Sequence, residues 1–286
     1  MNSTRAARLV AKRGGPTLPD NGHRSGLISL LTDFGQRDSY VGQVKGIILG
    51  VFPAARLVDL THDVPPQDVL EGAFQLATSW NSFPAGTVHL AVVDPGVGTA
   101  RRPVAVSWKG HLFVLPDNGL MSLVLGPESP EQLVVLDRPA YHRANVSSTF
   151  HGRDLFGVVA AHLASGRSID VVGSLSDPES IVRLPLPQIQ RVPSSLTVPI
   201  VSVDHFGNCR MLLTRDDLPW PLDRIEVRCG ALAISGIVTA YGDVAPGEAL
   251  ALFGSHGGLE VSVNGGNAAR SWGIERGTLV EVGPGT

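Results

Sequence analysis

The segment Asp94-Pro95-Gly96-Val97-Gly98-Thr99-Ala100-Arg101-Arg102 places a carboxylate and two guanidinium groups on one tight, glycine-rich turn. His151-Gly152-Arg153-Asp154 puts an imidazole and a second carboxylate on another. His151 has an ordinary pKa near neutrality, whereas an arginine stays charged at any working pH and acts only by its field and its donors. Each turn also has a plainer account when taken alone. Asp94 can cap backbone N–H groups beside surface arginines, and Asn118-Gly119 in Pro116-Asp-Asn-Gly119 suits a positive-φ turn.

Other chemistries fail on spacing. Asp33-Phe34-Gly35 and His151-Gly152-Arg153-Asp154 imitate two kinase motifs, but in the wrong order and without a phosphate loop or strand lysine. There is no Walker loop, no G-x-S-x-G elbow, and no strand leading into G-x-G-x-x-G, the usual glycine signal of a Rossmann-type methyltransferase. His62, Asp63, His89, Asp94, His151 and Asp154 offer nitrogen and oxygen ligands, yet no H-E-x-x-H or comparable spacing fixes a metal. No metal site is expected.

The elements that must carry these turns alternate. Gly26–Leu31 is a short apolar run of the kind buried on both faces of a parallel sheet. Residues 40–52 repeat apolar side chains at helical spacing until Pro53 stops them. Strands are expected at 56–60, 87–93, 104–108 and 111–115, and helices at 68–80 and 154–165. Asp33, Asp59 and Asp94 stand where strands end, the edge at which open α/β sheets bind ligands. Residues 25–188 are therefore expected to form an α/β domain with a mostly parallel sheet. The proline-rich stretch Leu184–Pro193 suggests an extended linker, placed at 189–195. From 196 to 286, short β-rich runs between glycine turns indicate a small all-β barrel or sandwich.

Bulk properties narrow the class. The chain has 286 residues, 43% hydrophobic and 17% charged, enough apolar surface for packed cores. A formal net charge of −3 gives no electrostatic reason to expect nucleic acid or an anionic membrane. Cys209 and Cys229 cannot make a disulfide framework and read as buried thiols of a reducing compartment. Met1–Arg24 lacks the continuous apolar core of a secretory signal and reads as a flexible leader. No stretch approaches the roughly 20 apolar residues of a membrane helix. A cytoplasmic location is expected.

Seven motifs, in order, resemble one family: Thr32-Asp-Phe-Gly35, Asp59-Leu-Thr-His-Asp63, Val93-Asp-Pro-Gly-Val-Gly-Thr99, Pro116-Asp-Asn-Gly119, Thr149-Phe-His-Gly-Arg-Asp154, Asp204-His-Phe-Gly-Asn208 and Val263-Asn-Gly-Gly-Asn-Ala-Ala269. The chain thereby resembles the S-adenosyl-L-methionine (SAM) hydroxide adenosyltransferases, relatives of fluorinase and chlorinase, over about residues 27–284. The resemblance implies attack of water or hydroxide on the ribose C5′ of SAM, giving adenosine and methionine. A sulfonium is already an excellent leaving group, so no cofactor or covalent intermediate is called for.

By the same resemblance, Asp94, Arg101 and His151 form the catalytic set. Asp94 and His151 orient the water and accept its proton, and Arg101 favours hydroxide-like charge. Asp33 accepts the ribose hydroxyls, and Phe150 lies beside the ribose and sulfonium. Asp204 and Asn208 take the methionine amino group, Phe206 stacks on adenine, and Ser255 meets the methionine carboxylate. The resemblance also implies a homotrimer with the ligand between one subunit's N-terminal domain and its neighbour's C-terminal domain. Two positions depart from the pattern. Gln67 stands where the family places an aromatic residue, and His256 stands where relatives carry arginine. Gly152 replaces the serine of the halogenases, and Asp94 would repel a halide. Halogenation and a non-catalytic SAM or adenosine sensor are the competing readings.

Overall fold

The computed structural model of the chain describes residues 25–285, so the leader expected at 1–24 lies outside the described residues. Two compact units result, the first ending at Leu184 and the second running from Pro185.

The first unit is an α/β layer structure. Its elements in order are β1 (Leu27–Thr32), α1 (Tyr40–Val51), β2 (Arg56–Thr61), α2 (Val69–Ser79), β3 (Val88–Val92), β4 (Pro103–Trp108), β5 (His111–Pro116), α3 (Ser122–Leu125), β6 (Gln132–Val135), α4 (Gly157–Ala164) and β7 (Ser174–Ser176). One sheet of seven strands has the order β2-β1-β3-β5-β4-β6-β7. β2, β1, β3 and β5 pair in parallel, while β4 and β7 run against their neighbours, so five of the seven strands share a direction. β1 and β3 are central, and their apolar runs are buried accordingly. Ile28, Leu30 and Leu90 meet Val44 and Ile48 of α1 and Val159 of α4 in one continuous core. Each such side chain contributes about 1.5–3 kcal/mol by leaving water.

Three features of this unit serve the strand ends. Asp68 caps α2 by accepting a hydrogen bond from the Glu71 N–H at 3.0 Å. The carboxyl ends of β1, β3 and β5 lie together because the register sets Thr32 beside Val92 and Leu90 beside Val114. Asp33, Asp94 and Asp117 follow those three strands. The helix expected at 154–165 differs at its start: Gly152–Phe156 form a widened π turn, and the regular α4 begins only at Gly157. Such single turns relieve an extra residue and recur at functional sites.

Two histidines are sealed under the sheet. His89 Nδ1 lies 2.6 Å from Ser29 Oγ, and its Nε2 lies 3.0 Å from His111 Nδ1. Burial pushes both imidazoles down, His111 to about 4, and the neighbouring His111 lowers His89 further. An unfolded chain takes up these protons near pH 6.5 while the folded unit refuses them until the pH is lower. Stability from this pair is therefore complete above about pH 6.5 and is lost as pH falls through the folded values. The melting temperature should drop steadily between about pH 7 and pH 4.5. Differential scanning calorimetry of wild type and His111→Gln checks this, the variant showing the shallower slope.

The second unit is all-β with one short helix, α5 (Ala268–Trp272). Its strands are β8 (Gln190–Val192), β9 (Ser195–Val203), β10 (Cys209–Thr214), β11 (Ile225–Cys229), β12 (Leu232–Ser235), β13 (Ala249–Phe253), β14 (Gly258–Val263) and β15 (Leu279–Pro284). They form an antiparallel sheet in the order β12-β11-β15-β9-β10-β14-β13, with β8 added on β9. A bridge from Val238, just past β12, to Leu252 of β13 brings the two ends together into a nearly closed barrel. The stretch read as a linker at 189–195 instead carries β8 and the first residue of β9. Val198, Met211, Val227, Val261 and Val280 fill the interior with the two thiols Cys209 and Cys229, both free and buried. Among the described residues, no helix is long and apolar enough to cross a membrane.

Candidate active site

The turn after β3 is compact because glycines make it so. Gly98 has φ +76, and a Cβ there would fall 2.4 Å from the Ser148 carbonyl oxygen. Any larger residue would push the 94–101 turn away from the segment that leads into His151. With glycine in place, the chain doubles back and Arg101 reaches Asp94. Its Nε donates to both carboxylate oxygens at 2.9 and 3.0 Å, and Nη2 also donates to Asp94 Oδ2. The same Nη2 lies 3.0 Å from His151 Nδ1. The side chains of Arg101 and Asp94 are only 9% and 6% exposed, so this pair is little screened by solvent. The Phe156 ring underlies the guanidinium at 5.0 Å. The three residues expected to form the catalytic set thus stand in a row, with Arg101 bridging Asp94 and His151.

That contact fixes the imidazole's protonation pattern. Arginine has donors only, so His151 Nδ1 must accept. The neutral ring then carries its hydrogen on Nε2. Burial lowers the His151 pKa, Arg101 lowers it further, and the carboxylates of Asp94 and Asp154 only partly oppose them. The neutral form prevails at neutral pH. No group of three or more His, Cys, Asp or Glu is arranged to hold a metal ion among the described residues.

Asp154 anchors the segment that presents His151. It is fully buried, and its oxygens accept from Arg143 Nη1 at 2.8 Å, Arg153 Nε at 2.7 Å, Arg153 Nη2 at 3.0 Å and the Ser147 N–H at 2.9 Å. Burial alone would raise its pKa, but these bonds outweigh it and hold the carboxyl well below the usual range. Next to His151, Phe150 packs edge-on against Phe34 and Tyr40, at 5.8 and 5.3 Å between ring centres. A Cβ on Gly152 would stand 3.1 Å from Phe34 Cζ, so a serine there would need the ring to give by a few tenths of an ångström.

Asp33, at the end of β1, accepts from the Gln67 N–H at 2.8 Å. Gln67 holds φ 66, one of two positive-φ residues other than glycine among the described residues. At this position the chain therefore uses its backbone rather than an aromatic ring. Thr32 Oγ1 contacts buried His62 Nδ1 at 2.8 Å, and His62 O accepts the Gly35 N–H at 2.8 Å. His62 thus ties the turn bearing Asp33 to the end of β2.

In the second unit, Asp204 and Asn208 come together in one loop. Asp204 Oδ1 accepts the N–H groups of Phe206 and Asn208, each at 2.9 Å, and Oδ2 accepts Asn208 Nδ2 at 3.0 Å. Gly207, at φ +87, lies so close to Asn267 that a Cβ would collide with that side chain, and its carbonyl accepts the Ala269 N–H. The motifs at 204–208 and 263–269 are therefore one local structure. Phe206 is 70% exposed, edge-on to His205, which leaves its face open for stacking. Ser255 is an exposed residue of the β13–β14 hairpin, and no hydrogen bond joins its side chain to the Asp204 loop among the described residues. The side chain of its neighbour His256 is largely covered, and burial together with the Arg210 charge pushes its imidazole down to about 4. It carries no positive charge at neutral pH, unlike the arginine it replaces.

Sequence comparison supplies the family. Residues 28–173 match the model of the SAM hydroxide adenosyltransferase N-terminal domain, and residues 198–281 match that of the C-terminal domain. The chain belongs to the SAM hydroxide adenosyltransferase family. It is 41% identical to an (R)-S-adenosyl-L-methionine hydrolase of Salinispora tropica, over 89% of this chain and 97% of that one. A fluorinase of an Actinoplanes species is 30% identical over 70% of this chain and 75% of its own length. A solved structure of a conserved protein from Thermotoga maritima superposes with a TM-score of 0.83 at 33% identity, covering 89% of this chain and 99% of that one. Within the family's frame, sequence reasoning had passed over Asp154 as an anchor, Phe34 and Tyr40 as partners of Phe150, and Tyr241 and Glu260 beside Asn208. Asp154 and Phe34 lie inside quoted motifs. Nothing in the local pattern marks Tyr241 or Glu260.

Proposed function

We propose that this chain hydrolyses S-adenosyl-L-methionine to adenosine and L-methionine, with water attacking ribose C5′. The observation that carries the reading is the contact of Asp94, Arg101 and His151 in a chain of this family. Arg101 occupies His151 Nδ1, so the imidazole offers Nε2–H to a water as donor. Asp94 keeps lone pairs beyond those taken by Arg101 and is the acceptor that draws on the water's proton. The buried guanidinium favours hydroxide-like charge on the attacking oxygen. The bond from C5′ to sulfur breaks as the bond from oxygen to C5′ forms. The sulfonium electron pair returns to a neutral thioether, and one proton is released.

Asp33 is the proposed partner of the ribose hydroxyls, with Phe150 beside the ribose and sulfonium. Asp204 and Asn208 are proposed for the amino group, Phe206 for adenine and Ser255 for the methionine carboxylate. The sulfonium leaves without help, so the reaction draws on no metal or other cofactor. From the family resemblance we carry over a homotrimer, and we keep the cytoplasmic location expected from the sequence. The Salinispora relative's name specifies the (R)-sulfonium epimer, and the same epimer is proposed here. Against halogenation stand the glycine at 152, where the halogenases carry serine, and the Asp94 charge.

The test is incubation of the purified protein with (R)- and (S)-SAM, with and without chloride and with and without EDTA, followed by chromatography. Adenosine from the (R) epimer in every sample is the expected result. 5′-Chloro-adenosine would convert the reading to halogenation. Intact SAM despite measurable binding would leave a sensor.

A further inference from the structure

Behind Asn208 lies a polar chain that the proposed reaction does not use. Asn208 Nδ2 approaches the Tyr241 hydroxyl at 3.4 Å as well as Asp204 Oδ2. Tyr241 donates to Glu260 Oε1 at 2.5 Å, and Ser262 Oγ donates to the same oxygen at 3.1 Å. Glu260 is 3% exposed and sits on β14, paired across the sheet with Arg210 of β10. Its other oxygen is 3.8 Å from His256 Nδ1. A buried carboxyl is costly to keep unless it does a job that its partners need.

Its effect on direction is definite. Oε1 receives two hydroxyl donors, so the Tyr241 hydrogen is committed to Glu260. Burial and then Glu260 itself push the phenol's pKa up, which keeps that hydrogen in place. The Tyr241 oxygen is left as an acceptor, and Asp204 is an acceptor too. Both ask for the NH₂ end of the Asn208 amide. The amide is thereby locked in one of its two orientations, and Oδ1 receives no hydrogen bond from the described residues. A carbonyl oxygen beside a carboxylate is a receptor for a cationic amine and repels a neutral or anionic group.

We propose that Glu260 and Tyr241 are positioning residues that fix the Asn208 amide and so select SAM by its α-ammonium group. This rests on the reading of Asp204 and Asn208 as the amino-group site. Without the phenol, only Asp204 would hold the NH₂ end, and the amide would pivot about that single bond, so its oxygen would be less firmly aimed. The substrate's adenosine and sulfonium contacts would be unaffected, so the loss should fall on affinity.

The experiment compares wild type with Tyr241→Phe and Glu260→Gln on SAM and on its desamino analogue, in which hydrogen replaces the α-amino group. Tyr241→Phe leaves Glu260 the Ser262 donor, and thermal melts check that the variant is folded. For Tyr241→Phe, KM for SAM should rise about tenfold with kcat little changed. The analogue's kcat/KM should stay the same, so the preference for SAM shrinks. Glu260→Gln, if its melting temperature shows it folded, should follow Tyr241→Phe. Equal losses on both compounds, or none on either, would overturn the proposal. Isothermal titration calorimetry with the same two compounds separates this inference from the proposed activity. A wild type that binds SAM without turnover defeats hydrolysis but still reads the amine preference, whereas no preference for SAM over the analogue defeats the positioning role.

Discussion

Arg101→Ala should lower kcat by roughly a hundredfold to a thousandfold while adenosine binds with nearly unchanged affinity. Three contacts end together in this variant. Asp94 loses a donor at both oxygens, His151 Nδ1 loses the bond that fixes its tautomer, and the water loses the neighbouring positive charge. None of these is a contact to product. A buried carboxylate left unpaired also costs stability, of order 3–5 kcal/mol, so the melting temperature should fall as well. Arg101→Lys separates the two effects. It restores the charge beside Asp94, but a single ammonium cannot span both the carboxylate and the imidazole. Lysine should recover most of the stability and little of the rate. Chromatographic turnover, calorimetric adenosine binding and thermal melts measure the three quantities. Wild-type turnover by either variant would remove Arg101 from the mechanism.

The parallel strands were legible because burial on both faces writes an uninterrupted apolar run. The runs at 26–31 and 87–93 became β1 and β3 to within a residue at either end. The helix over 40–52 was legible for the complementary reason, that Val41, Val44 and Ile48 repeat at its period and are the residues buried. The elements that escaped are short or lack a period. α3 has four residues, and β7 and β8 have three each. β7 and β8 exist because a neighbouring strand offers hydrogen bonds, which no local pattern records. β10 was hidden by its own loop, since Gly207-Asn208 reads as a turn and Arg210 interrupts the apolar alternation that follows.

The site divides in the same way. Asp94, Arg101 and His151 sit in ordered motifs, and the resemblance alone names them as a set. What holds them was not legible, because it is long-range. Gly98 touches Ser148 across fifty residues of chain, and Glu260 reaches Asn208 through a tyrosine on a third segment. Gln67 shows the opposite limit. Its side-chain type suggested a lost aromatic contact, yet the backbone N–H is the group that meets Asp33. A sequence reports side chains, and on the Gln67 side this contact uses none.

Asp154→Asn is expected to act through that long-range scaffold, with a loss of activity larger than its conservative chemistry suggests. The carboxylate satisfies four donors from Arg143, Ser147 and Arg153 at once. An amide has one acceptor oxygen, so its NH₂ end must face guanidinium or backbone N–H groups that also donate. Two of the four bonds are lost, and a buried donor faces a donor. The segment 143–154 should loosen, carrying His151 away from Arg101 and Phe150 away from Phe34. Misplacing catalytic groups by about 1 Å costs about a hundredfold, and kcat/KM should fall by at least that. The linkage to pH gives a second readout. The folded Asp154 pKa lies well below its unfolded value, so its contribution to stability is present above about pH 4 and is lost only as pH falls further. At about pH 7 wild type should melt well above Asp154→Asn, and the gap should narrow as pH falls into the range where the wild-type carboxylate takes up its proton. Hydrogen exchange should show new exposure confined to 143–154. If exchange and turnover both stay at wild-type levels, the anchor is dispensable and the Arg101–His151 contact must be maintained by the 94–101 turn alone.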